Sequence, residues 1–177
     1  MTAASIFSPV GVNTDQVDDS AQFTLGTVAR GAAGVEFTYC LAGAAISAAD
    51  SEASRFAVSI DENYSAQLVT TALATTWRRL GVAPSKTVAS GKYFWAQTRG
   101  NASIRVVASA AADVSLRTTT TAGRLGSAST VSSVVYPGVV LVTAASASGA
   151  SAGSTTRTAI IVSNLPTRKS AINIGAL

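Results

Sequence analysis

From Val35 to Leu41 the chain alternates strictly: Val35, Phe37, Tyr39 and Leu41 fall on one side, and Glu36, Thr38 and Cys40 on the other. A period of two belongs to an extended strand with one face buried, and a helix cannot hold it. Residues 55–61 repeat the pattern through Phe56, Val58 and Ile60, then stop at the turn-like Asp61-Glu62-Asn63-Tyr64-Ser65. Similar runs predict strands at 66–70, 80–83, 93–98, 103–108, 114–118, 131–135, 139–143 and 158–163, with turn residues between most of them. Short strands at this spacing predict an all-β chain, a compact barrel or sandwich with little or no helix. One stretch competes. In residues 65–81, Leu68, Leu73, Trp77 and Leu80 approach helical spacing, but the threonines and Val69 disfavour a helix, so strand, loop and strand are predicted there.

Residues 1–25 read differently. Pro9, Gly11 and Asn13 punctuate them, the apolar residues are isolated, and nothing recurs at 3.6 residues. They predict an extended N-terminal arm of the kind that lies in a groove or adds a strand to a neighbouring sheet. Residues 26–177 then form the barrel domain, with a low-complexity loop at 144–157 and a closing segment at 164–177. No internal repeat and no second domain are visible.

Composition limits the core. Of 177 residues 34 are alanine, which buries little apolar area, so Val, Ile, Leu and eleven aromatics must supply most of it. Only 12% are charged, about half the usual share, which suits a surface covered by partners. Charge is also segregated. Residues 1–62 hold eight of nine acids and two of thirteen bases, leaving eleven bases and one acid for the remainder. An acidic front and a basic body predict self-complementary association, or docking on a charged protein lattice. The first residues, MTAASIFSPVG, lack the basic and apolar regions of an export signal, and residues 131–145 are too short and too polar to span a bilayer. No membrane partner is expected. Cys40 is the only cysteine, so no internal disulfide can form; it is read as a small strand residue.

The absence of histidine removes Ser-His-Asp triads, Cys-His dyads and histidine metal sites. Residues 149–153 spell G-x-S-x-G, but the nucleophile elbow needs a strand before it, a helix after it and a later histidine. The carboxylate groups Asp15/Asp18/Asp19, Asp50/Glu52 and Asp61/Glu62 lack the register of an EF-hand or the separation of a glycosidase pair. No phosphate-cradling glycine motif occurs. The expectation is no enzyme, no cofactor and no metal. Trp77-Arg78-Arg79, Tyr93-Phe94-Trp95, Arg99, Arg105, Arg117 and Arg124 could make a cationic stacking sheet for single-stranded nucleic acid. Phe94 must oppose Tyr93 and Trp95, however, so only one set can face solvent, and the arginines are scattered over several strands. Nucleic acid is therefore not expected as a partner.

A resemblance runs through residues 35–130, somewhat over half of the chain. Gly81-Val82-Ala83 leads through a glycine turn to Tyr93, Trp95 and Gln97, then Arg99-Gly100, Ala102, Ile104 and Val106, and finally Thr120-Thr121, Gly123 and Leu125. This run resembles the capsid decoration, or cement, proteins of tailed bacteriophages. The resemblance implies a small β-barrel virion protein that binds the outer surface of an assembled major-capsid-protein lattice, as a homotrimer, with no catalytic residue and no cofactor. It transfers no contact residue. From the residues themselves, the candidate contacts with capsid or neighbouring protomer are Ile6, Phe7, Val10, Asp15, Asp18 and Asp19, all on the arm. A head-fibre base or tail component is the alternative reading, followed by a single-strand nucleic-acid-binding barrel.

Overall fold

The computed structural model describes residues 12–47, 55–76, 78–128, 133–144 and 155–161. In chain order its elements are β1 (Val17–Asp18), β2 (Val28–Arg30), β3 (Glu36–Ala42), β4 (Ala57–Ile60), β5 (Ser65–Leu68), α1 (Thr71–Ala74), β6 (Arg79–Val82), β7 (Tyr93–Val106), β8 (Ser115–Thr118), β9 (Leu125–Gly126), β10 (Val135–Leu141) and β11 (Thr155–Ile161). The chain is nearly all β, with a closed five-stranded barrel plus extra strands, which is the expected fold class. Among the described residues no helix is long and apolar enough to cross a membrane.

The barrel closes in the order β3-β5-β4-β6-β7 and back to β3; only the β3–β5 pair is parallel. Its interior takes Cys40 and Ala42 from β3, Val58 and Ile60 from β4, Ala66 from β5, and Phe94 and Ala96 from β7. Five strands enclose a narrow lumen, which is why small residues form much of this core. Gly81 faces the same space: a Cβ there would lie 2.8 Å from Ile60 Cδ1 and 3.1 Å from Ala96 Cβ. The alanine that looks poor in sequence is the size that fits.

The extra strands do not trail away. β7, β9, β8, β10 and β11 form a second ring of pairings that returns to β7, again with one parallel pair, β7–β9. If β3 through β7 are matched in order with β7 through β11, every pairing and every direction in the first ring recurs in the second. The chain thus contains a topological repeat that its sequence hides, and β7 is both the last strand of one ring and the first of the next. The outer faces of β4 and β6, through Ala57, Leu80 and Val82, join Ile104, Leu116, Leu125, Tyr136 and Val139 in one core. The two rings are therefore a single packed body. At this seam the buried hydroxyls of Ser59 and Tyr136 face each other without a well-formed hydrogen bond. Burial pushes the Tyr136 phenol up to about 12.

β7 corrects the prediction of two separate strands at 93–98 and 103–108. A register shift opposite Glu36 and Phe37 makes a bulge at its middle, and Gly100 follows at φ +85°. A Cβ on Gly100 would sit 2.9 Å from Val35 Cγ2 and 3.0 Å from its Cα, so the strand passes from one ring to the other only where it has no side chain. Residues 131 and 132 lie outside the described residues; what is described of the strands predicted at 131–135 and 139–143 falls on one strand, β10, with Pro137 and Gly138 inside a register shift between Tyr136 and Val140. Proline is tolerated there because the ladder is already interrupted. The loop predicted after β5 contains one helical turn, α1, where the Thr70 hydroxyl accepts the Leu73 N–H at 3.2 Å. Trp77 and the closing segment 164–177 lie outside the described residues, as does most of the 144–157 loop, whose last residues begin β11.

Candidate functional site

Ile6, Phe7 and Val10 lie outside the described residues. The rest of the expected arm packs against the outside of the barrel. β1 pairs antiparallel with the start of β7, Val17 opposite Phe94 and Asp18 opposite Tyr93. Val12, Phe23 and Leu25 pack with Phe37, Tyr39, Tyr93 and Trp95 on the outer face of β3 and β7. The Phe23 ring meets Tyr39 edge-on at 5.3 Å and Trp95 at 5.2 Å. Phe94 fills the barrel while Trp95, on the opposite face of the same strand, is only 2% exposed. Phe94 does oppose Tyr93 and Trp95, as expected, but the face that could have met solvent is largely covered by residues 12–25. Tyr39 and Trp95 have no free ring face of the kind a nucleobase needs.

The three arm carboxylates take three directions. Asp15 accepts the Ser85 backbone N–H at 2.8 Å and the Ser85 hydroxyl, which pins the arm to the segment after β6. Burial pushes its carboxyl up, but those two donors, with the charges of Arg55 and Lys86, outweigh burial and hold it below the usual carboxylate range. The stabilisation this provides is complete above the unfolded value of 3.8 and lost as pH falls through the lower folded value. Stability measured by denaturant titration should thus fall on acidification below about pH 4, and Asp15→Asn should flatten that part of the profile. Asp19 is exposed and pairs with Lys92 at 2.9 Å.

Asp18 is the buried one, at 7% exposure. One carboxylate oxygen accepts the Tyr39 hydroxyl at 2.8 Å and the other accepts Gln16 Nε2 at 2.7 Å. The Tyr39 oxygen in turn accepts the Gln22 N–H at 3.1 Å. Burial, and then the bond and charge of Asp18, push the Tyr39 phenol up to about 12, so it remains a proton donor to that carboxylate. Beside this network lies a pocket of about 190 Å³, lined by Val12, Asn13, Gln16, Asp18, Gln22, Phe23 and Trp95. Sequence reading singled out Asp18 but not Gln16, Gln22 or Phe23. Nothing in the sequence places Trp95 beside them, because the pocket exists only once the arm folds back on β7.

Folding also largely resolves the charge segregation within the chain. Glu36 holds Arg30 at 3.1 Å and lies 3.9 Å from Arg99, and Asp61 lies 4.0 Å from Arg78. Arg79 stacks over Tyr64 at 5.1 Å. Arg105 is fully buried, with its guanidinium 4.8 Å over the Phe56 ring. Arg30, Arg78, Arg79, Arg99 and Arg105, part of the charge expected to serve association, thus meet acids and rings of their own chain. What remains is an imbalance along the sequence: residues 1–99 carry seven bases and eight acids, residues 100–177 six bases and one acid.

Among the described residues no group of His, Cys, Asp and Glu could hold a metal ion. Cys40 is buried inside the barrel, and burial pushes its thiol up to about 12, far from a reactive thiolate. Asp61 spends one oxygen capping its own turn, accepting the N–H groups of Asn63 and Ser65. No family model, curated protein or solved structure matches this chain.

Proposed function

We propose that the chain is a structural virion protein that binds the outer surface of an assembled phage capsid lattice and stabilises it. The observation that carries this reading is where the decoration-protein motif falls. Val82 lies in β6, Trp95 and Gln97 in the barrel half of β7, Ala102, Ile104 and Val106 in the second ring, and Leu125 in β9; all are buried. These positions of the resembling run are framework and pass through both rings, while Arg99, Thr120 and Thr121 of the same run are exposed. A protein whose side chains are committed to packing works by what it covers.

The mechanism is mechanical. Each copy, acting as a homotrimer across a seam between capsomers, buries surface against the major capsid protein only where the lattice exists. A partner that binds the assembled state alone stabilises that state by mass action, so modest contacts repeated many times suffice. The same reading assigns residues 1–11, with Ile6, Phe7 and Val10, to contact with the lattice. Because Val12 belongs to the aromatic cluster, a deletion must stop at residue 11 to leave the barrel intact. Co-sedimentation with assembled shells should show full-length protein binding saturably and the 12–177 fragment binding at least about tenfold more weakly, a loss on the order of 1.4 kcal/mol per contact set. Equal occupancy by the fragment would remove the arm from the interface, and no binding by either form would refute the function.

A further inference from the structure

We infer that the open edge of β2 takes a strand from a second copy of this chain, namely residues 5–8 of its N-terminal arm. β2 ends the sheet: β3 pairs with one side of it, and among the described residues nothing pairs with the other. Val28, Ala29 and Arg30 lie opposite Thr38, Phe37 and Glu36. Beside them Gly31 donates its N–H to the Val35 carbonyl at 2.8 Å, and the Thr27 carbonyl accepts the Tyr39 N–H at 2.9 Å. Bonded and non-bonded positions alternate in an antiparallel ladder, so residues 27, 29 and 31 turn their backbone to β3 while Val28 and Arg30 turn theirs away. The edge thus offers two N–H donors and two carbonyl acceptors in line. Both residues are exposed, Val28 by 50%. Exposed edges are ordinarily blunted by lysine, proline or a bulge. β2 holds neither lysine nor proline, its register has no shift, and its one charge, Arg30, is drawn back to Glu36 on β3 at 3.1 Å.

The arm has the matching chemistry. Residues 1–11 precede Val12 and contain no charged side chain. Ile6 and Phe7 favour strands, each of residues 5–8 carries an N–H, and Pro9 ends the run. Directly opposed residues of paired strands share a face. With Phe7 opposite Ala29, its ring joins the aromatic side of the sheet, where Phe37 is only partly buried, and Ile6 and Ser8 fall on the side of Val28 and Arg30. The second copy follows from the course of the chain. Val12 lines the same pocket as Trp95 of β7, and between there and β2 the chain's own residues 22–26 cross the sheet. Phe23 rests on Trp95 and Tyr39, and Gly26 donates to the Tyr39 carbonyl at 2.9 Å. That crossing blocks the direct path of an arm to its own β2, while the edge itself faces outward. Eleven extended residues reach about 36 Å, enough to leave one molecule and pair on the next. An arm passed from each copy to the next closes into a ring of subunits when the rotation permits. The inference rests on the homo-oligomer part of the reading above and concerns the protein free of the shell, so its failure leaves lattice binding standing.

Amide hydrogen exchange on the full-length protein, with no shell present, tests the docking. At concentrations that saturate self-association, the Val28 and Arg30 amides should exchange at least about tenfold more slowly than in a variant carrying Ile6→Asp and Phe7→Asp. The Gly31 amide, bonded to Val35, should exchange alike in both and reports that the variant keeps its fold. Fast exchange at Val28 and Arg30 in the unaltered chain, or slow exchange that the variant shares, overturns the docking. Dilution then identifies the source. Protection that fades on dilution, with self-association about tenfold weaker in the variant by sedimentation equilibrium, supports a second copy. Protection that survives dilution to the monomer assigns the segment to its own copy and overturns that part, as does a chain that is monomeric at every concentration or whose association the variant leaves unchanged.

Discussion

Trp95→Ala should cost about 4 kcal/mol of folding stability, as much as Phe94→Ala on the opposite face of the same strand. Ordinary β alternation leads to a different expectation, one large loss inside and one small loss outside. The two losses are similar here because Phe94 fills the barrel while Trp95 sits under Phe23 and against Tyr39. Val28, half exposed on β2, is the control, with an expected change within about 0.5 kcal/mol on replacement by alanine. Urea denaturation of the three variants checks this. A near-neutral Trp95→Ala would mean that the aromatic face is open, restoring the stacking-platform alternative and displacing residues 12–25 from their position.

Gly100→Val should cost about 3 kcal/mol, because it combines two penalties at the strand that joins the rings. The backbone sits at φ +85°, where a β-branched residue is strongly disfavoured, and the new side chain would meet the Val35 backbone, which cannot rotate away. Gly91 separates the two. It has a similar φ of +78°, but a Cβ there would meet nothing within 4 Å, so Gly91→Val should show the conformational penalty alone, about 1–2 kcal/mol. Equal losses at the two glycines, read from thermal and urea unfolding, would show that Val35 does not press on β7 and that the crossing between rings is looser than described.

How much of this was legible follows from which forces act locally. The alternation in β3, β4 and the first half of β7 is a local pattern with a local cause, so strands could be read directly from Val35, Phe37 and Tyr39 or from Phe56, Val58 and Ile60. β1, β2 and β9 are two or three residues long, too short to display a period, and exist because a neighbour offers a ladder. Gly100 looked like a strand terminator because sequence alone cannot distinguish a glycine that ends a strand from one that lets it bend. The topological repeat was invisible for a related reason. It is written in which strands pair, whereas the side chains that fill the two rings differ: Cys40, Ala66 and Phe94 in one, Leu116, Tyr136 and Leu141 in the other.

The charge pattern teaches a sharper lesson. Eight acids ahead of residue 63 and eleven bases after it look like a molecule waiting for a partner. Antiparallel pairing of β3 with β7 brings Glu36 to Arg99, and the arm brings Asp19 to Lys92. Segregation along a chain becomes pairing across a sheet, and such exposed pairs contribute little each. Only Asp18 keeps a buried carboxylate outside every ion pair among the described residues, and it does so next to a pocket.

The central claim, that this protein acts by stabilising an assembled shell, is tested most directly by calorimetry of shells with and without it. Shells saturated with the protein should melt several degrees higher than bare shells, by an amount that rises with free protein concentration as mass action requires. Identical melting at every concentration, with the protein unfolding in its own separate transition, would contradict the claim.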